Sequence, residues 1–273
     1  MAMDNILVVE DIPEFQLAAA TFFGENHLKA DIVDDYAGAR IYFRAKRPDG
    51  VITDIFFPYK AGSEDRRYGE EALAKLKTSD PYERKAQEII GELSPYVTMD
   101  DDLIKLIRVF SRLEVGEDKE YEPGFEPRSS PVIGALRRSV AYIHTDASTQ
   151  KMREYFEKYR QHEDLIKKVN HTQERYEALA FAIEENETQQ PLGILVAETA
   201  EKMGLPFVLA SSLFHHGDLV QKICEYQRRN GWPEIVDTNS GHTKDQPGFW
   251  GEAYLRLCKE ANPGPEPDIL SMA

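Results

Sequence analysis

The chain has 273 residues, 41% of them hydrophobic, and a formal net charge of -15. That length and content support a real core in one large domain or two ordinary ones, and the charge argues against nucleic acid or an anionic membrane as partner, since both need a basic face. No run of about 18 apolar residues occurs, and the start MAMDNILVVEDIPEF lacks the order of a signal peptide, so neither a membrane span nor export is expected.

Asn5 to Val9 is a continuous apolar run, the mark of a parallel strand covered on both faces, and it stops at Glu10-Asp11. Pro13 opens a helix with Phe15, Ala18, Ala19, Phe22 and Phe23 on one face and Gly24 as its stop. A strand at Ala30 to Val33 follows. A helix from Tyr36 to Ala45 comes next, with Ala37, Ile41 and Ala45 as its apolar stripe. Gly50 to Phe57 reads as a buried strand ended by Pro58, and its one carboxylate is the anomaly. An Asp left inside such a strand would cost several kcal/mol, so Asp54 is expected at the strand's C-terminal end, facing a crevice that holds a cation. That is where open α/β sheets place their chemistry. The β-α-β-α-β alternation predicts a parallel sheet.

From Tyr59 to Gln190 the alternation breaks and the composition turns polar and helix-like. Helices are predicted at Gly69 to Lys77, Tyr82 to Leu93, Asp101 to Leu113 and Val132 to His144, with a loop over Gly116 to Pro131. Ala147 to Glu187 has neither Gly nor Pro, which fits one long helix or a hairpin; Leu165, Val169, Tyr176, Leu179 and Ile183 form its stripe. The first pattern resumes at Pro191, with a helix to about Gly204, a strand over Pro206 to Ala210 closing at Ser211-Ser212, and a helix within Leu213 to Arg229. A short fifth strand is expected at Glu234 to Asp237, then a polar loop over Thr238 to Gly248. The last helix runs from Phe249 to Ala261 with Trp250, Tyr254 and Leu257 on one side, and residues from Asn262 on form a tail. Cys224 and Cys258 fall in helical segments without metal or CxxC spacing, which points to a reduced, cytoplasmic protein.

Two carboxylates ending the first strand and one ending the third would stand side by side at the sheet's C-terminal edge. Packed together they repel, and a hard divalent cation with oxygen ligands relieves this; Mg²⁺ suits such a site because it keeps several waters and accepts a phosphoryl oxygen. Glu10, Asp11 and Asp54 are the candidate side-chain ligands. The plainer reading of Glu10-Asp11 is a solvated helix N-terminus.

ILVVED, VITDIFFP and PFVLASS, in that order, resemble the first, third and fourth strands of the receiver domain of two-component response regulators. The resemblance covers Asp4 to Pro58 and Pro191 to Ala261. It implies a doubly wound, five-stranded parallel α/β sheet in flavodoxin-like order, with residues 59–190 as a helical insertion between the third strand and third helix. It further implies that Asp54 takes a phosphoryl group from the phosphohistidine of a histidine kinase or phosphotransfer protein, with Mg²⁺ also held by the backbone carbonyl of Phe56. Ser211 matches the switch hydroxyl, although a serine in a plain strand-end turn would look the same. Lys244 is the only lysine in the loop after the fifth strand, whereas direct counting puts Thr238 at the family's lysine position. The aromatic that usually reports phosphorylation from the fifth strand is not evident.

His215-His216 lie near the expected pocket, and adjacent helical residues do not face one way, so joint ligation is not expected. With its ends on the crevice side, the insertion is expected to serve as output or partner surface. Two other readings stay open: a pseudo-receiver that binds a protein partner without being phosphorylated, and a metal-dependent phosphate-handling enzyme with the insertion as lid.

Overall fold

The sheet is organised around strands buried along their whole length. β1 (Ile6–Val9) is fully buried, as are β3 (Gly50–Asp54) and β4 (Phe207–Ser211). With β2 (Ala30–Val33) and β5 (Val236–Asp237) they form a five-stranded sheet in the order β2-β1-β3-β4-β5, every pairing parallel. This computed structural model describes Met3 and residues 5–59, 65–85, 88, 164–165, 168–169, 171–212, 218–238 and 241–262.

Burial on both faces explains the unbroken apolar runs, because successive side chains enter opposite layers. Leu7, Val9, Val51 and Leu209 join one core, whereas Ile6, Val8, Ile52 and Val208 join the other. Each fully buried Val, Leu or Ile contributes about 1.5–3 kcal/mol. The second core is covered by α1 (Pro13–Glu25) and by Trp250, Ala253, Tyr254 and Leu257 from the C-terminal helix.

The first core is covered by α2 (Tyr36–Ala45), α3 (Arg67–Thr78), α4 (helical residues 173–185), α5 (Gly193–Lys202) and α6 (Asp218–Arg229). The C-terminal helix, α7, spans Pro247–Ala261 and takes its proline into the first turn. Asp35 caps α2 by accepting the Gly38 amide at 2.5 Å, a contact of about 1 kcal/mol. Gly204, at φ +64°, ends α5 in the left-handed conformation that glycine adopts without strain.

The stripe expected on α2 is corrected. Ile41 is 67% exposed, and the buried face is Tyr36, Ala39 and Tyr42. Tyr42 can go inward because its hydroxyl donates to Asp31 Oδ2 at 2.8 Å and accepts from Asn5 Nδ2 at 2.9 Å. An aliphatic stripe was an incomplete guide where a tyrosine has a polar tip to satisfy.

The sheet belongs to a compact unit made of Met1–Asp80 and Gln173–Ala273; Pro81–Thr172 is the other unit. The sequence reading divides the chain at Pro58 and Pro191, whereas the unit around the sheet also takes in α3 and α4. Ala72 and Leu76 of α3 and Tyr176 and Leu179 of α4 are buried in its first core. Polar contacts fix them there. Lys75 pairs with Glu198 at 2.7 Å, Lys222 pairs with Asp80 at 3.1 Å, and the Tyr176 hydroxyl lies 3.0 Å from Asp80 Oδ2. Of the helix predicted at Tyr82 to Leu93, residues 82–85 and 88 are described and are helical, and the rest lies outside the described residues. The predicted helices at 101–113 and 132–144, the loop at 116–131 and His215-His216 lie outside the described residues. Among the described residues no helix is long and apolar enough to cross a membrane.

Candidate functional site

Register alone brings the acidic residues together. Val9 pairs with Thr53 in the parallel ladder, so the next residues, Glu10 and Asp54, leave adjacent strands side by side. Asp54 in turn pairs with Ala210, which sets Ser211 one step beyond it on the next strand. Carboxylate oxygens of Glu10, Asp11 and Asp54 all lie within 4.8 Å of one another.

Their environments differ. Glu10 is fully buried, and its Oε1 accepts the Ile12 amide at 3.2 Å. Asp54 is 7% exposed, and its Oδ1 accepts the Ile55 amide at 2.6 Å. Burial, reinforced by the charge of Asp54, pushes Asp11 up from 3.8 to about 6. Burial likewise pushes Glu10 upward, against the opposing pull of Lys244.

Lys244 stands against two of these carboxylates. Its Nζ lies 2.5 Å from Glu10 Oε2 and 3.0 Å from Asp54 Oδ2, with the side chain wholly buried. The loop after β5 reaches this place because Trp250 Nε1 donates to the Lys244 carbonyl at 2.8 Å. The ammonium also sits 5.3 Å from the Phe15 ring centre and 5.9 Å from that of Trp250, where ring quadrupoles favour a cation. Burial would lower its pKa, but the two carboxylates outweigh burial and raise it.

Beside this triad lies a cleft of about 90 Å³ lined by Asp11, Asp54, Phe56, Ser211 and Ser212, together with Thr188 and Gln189. Asp11, Asp54, Phe56 and Ser211, named from the sequence, thus share one cleft. Glu10 is not among the lining residues; its carboxylate belongs to the same cluster as those of Asp11 and Asp54 and is engaged by Lys244.

Comparisons with family models, with curated proteins and with solved structures find no match.

Thr188 and Gln189 are the cleft residues that the sequence reading passed over. They arrive because the Phe57 amide donates to the Gln190 carbonyl at 3.2 Å and the Gly193 amide to that of Ile55 at 3.1 Å. The second approach is so close that a Cβ on Gly193 would lie 2.1 Å from the Asp54 carbonyl oxygen. Pro191-Leu192-Gly193, where the apolar pattern resumes, was the available signal, since residues just before a returning helix must cross the sheet edge.

The donor set fits a hard divalent cation. All candidate ligands are oxygens, the kind Mg²⁺ selects. When its three carboxyls are ionised, the cluster carries two negative charges beyond the one that Lys244 balances. Asp11 and Asp54 face the cleft and would hold the ion there, with Phe56 and Ser211 at its wall.

Proposed function

We propose that the chain is a receiver-like phosphoacceptor in two-component signalling, with Asp54 as the acceptor. The observation that carries the reading is Lys244 paired at once with Asp54 and Glu10 beside a cleft that Asp11 and Ser211 line. A carboxylate, a second acid, a hydroxyl and a fixed cation at one sheet edge are what phosphoryl transfer needs, because its catalysis is mostly positioning and charge neutralisation.

In the proposed step an Asp54 carboxylate oxygen attacks the phosphorus of a phosphohistidine on a histidine kinase or phosphotransfer protein. The P–O bond forms as the P–N bond breaks, and the imidazole leaves with a proton from solvent. Mg²⁺, held by Asp11 and Asp54 with the Phe56 carbonyl, would neutralise charge on the transferring group. Lys244 holds Asp54 in place and offers its ammonium to a phosphoryl oxygen; the Ser211 hydroxyl offers a hydrogen bond to another. Glu10 acts by keeping Lys244 charged and oriented. Within the expected insertion of residues 59–190, the part outside the sheet's unit, Pro81–Thr172, provides the output or partner surface.

The reading is tested by incubating the protein with Mg²⁺ and acetyl phosphate and examining the label's chemistry. Stoichiometric labelling, stable to acid and labile to base, is expected; turnover of the donor without labelling would point to an enzyme instead. One observation favours a pseudo-receiver that only binds a partner: Glu234 to Thr238, around β5, contain no aromatic. Absence of label together with a tight protein partner would support it.

A further inference from the structure

β2 stands at the end of the sheet, half-buried along its length, and among the described residues no strand pairs with its other side. The Ile6 amide donates to the Lys29 carbonyl at 2.9 Å and the Glu10 amide to that of Val33 at 3.0 Å. The alternate residues Ala30 and Ile32 therefore turn their own amides and carbonyls away from β1, to the open edge. Beside that edge lies a hollow of about 600 Å³, lined without a break by Leu28 to Ile32. Such an edge is a template for one more strand.

The two faces of the hollow differ. Ile32 and Leu28 pack with Phe23 of α1 in the second core and make one face apolar. Lys29 and Asp31 alternate to the other face, where Lys46 pairs with Asp31 at 3.0 Å, so two lysines stand against one carboxylate. A strand that fits must set an apolar residue next to an acidic one.

The tail has that order in Asp268-Ile269, which follows Pro263, Pro265 and Pro267 and lies outside the described residues. α7 leads to the right end of the sheet. The Tyr254 ring lies edge-on to that of Phe23, with centres 5.9 Å apart, and Leu257 sits against Gly50 at the start of β3. From Tyr254 to Ala261 the helix advances about 10 Å. Extended chain spans roughly 3.3–3.6 Å per residue, so Pro263 to Pro267 can return over that distance.

We infer that the segment around Asp268-Ile269 adds to the open edge of β2 as a sixth strand, with Ile269 toward Phe23 and Asp268 toward Lys29. A second copy is the poorer occupant, since each chain carries a net charge of -15. The inference concerns a different part of the sheet from the cleft and does not depend on the phosphoacceptor reading.

The test is hydrogen exchange of the β2 amides in the full chain and in a chain stopped after Asn262, each at two protein concentrations. The full chain should protect Ala30 and Ile32 about tenfold more than the shortened one, and a synthetic Pro263–Ala273 peptide should restore the protection at about millimolar concentration. Ile269→Lys in the full chain should lose it. Lys29→Glu should weaken it, and Asp268→Lys added to Lys29→Glu should bring it back. Equal protection in the full and shortened chains, at whatever level, overturns the inference. Protection that grows with protein concentration in both assigns the edge to a second copy and overturns it as well. If the shortened chain does not fold, Ile269→Lys decides alone: lost protection supports the inference, and unchanged protection overturns it.

Discussion

The Lys244 ammonium lies 3.0 Å from Asp54 Oδ2, and neither strand nor helix delivers it there. It comes from the loop between β5 and α7, pinned by the indole of Trp250. One buried cation therefore balances two buried carboxylates, and its removal should be felt in stability as well as chemistry. Lys244→Ala is expected to destabilise the cation-free protein by about 3–5 kcal/mol, the usual cost of stripping one partner from a buried pair. Urea unfolding in chelator measures it. Added Mg²⁺ should restore part of the loss, since it supplies positive charge to the same carboxylates.

Cation binding should depend on pH through Asp11, whose carboxyl burial holds at about 6. A proton on Asp11 competes with the ion, so Mg²⁺ affinity should rise between pH 5 and pH 7, and Asp11→Asn should flatten that rise. The stability effect has the opposite sign. A carboxyl raised from 3.8 to about 6 contributes stability that is fully present below 3.8 and lost as pH climbs through 6. Melting curves without cation should show this decline, and Asp11→Asn should make it shallower, the remainder coming from Glu10, whose carboxyl burial also pushes upward.

Gly193→Ala sets a methyl group 2.1 Å from the Asp54 carbonyl oxygen and 2.8 Å from the Ile55 Cα. Backbone on both sides must shift, so a loss of about 1–3 kcal/mol is expected, as for other overpacked sites. Because the displaced strand end carries Asp54, Mg²⁺ affinity should fall too. Unchanged stability in denaturant would show that the α5 N-terminus does not clamp this strand.

The buried pair Lys222–Asp80 offers a contrasting site within the same unit. It ties α6 to the end of α3, and the Tyr176 hydroxyl joins it from α4. Lys222→Met should cost about 3 kcal/mol while leaving Mg²⁺ affinity at the wild-type value. Equal losses of stability from Lys222→Met and Lys244→Ala, with affinity lost only in the latter, would separate the scaffold's ion pair from the site's.

Much of this arrangement was legible in the residues. Ile6–Val9 and Val51-Ile52 announce buried parallel strands because both faces are apolar, and the carboxylates that end them mark the sheet edge. Lys244 was ambiguous because it lies on a loop, where no periodicity fixes direction, and Thr238 stood at the counted position. Gln189 was silent for a related reason: its place is set by the Phe57–Gln190 hydrogen bond, a contact between segments far apart in the chain. Ile41 misled because α2 buries Tyr42, whose ring packs inward only when Asp31 and Asn5 take its hydroxyl.

The most direct test of the central claim is intact mass after incubation with Mg²⁺ and acetyl phosphate, for wild type and Asp54→Asn. A single phosphate adduct on the wild-type chain that is missing from the variant is the expected result. An adduct that persists in Asp54→Asn, or none on a wild-type chain shown to bind Mg²⁺, would contradict the assignment of Asp54 as phosphoacceptor.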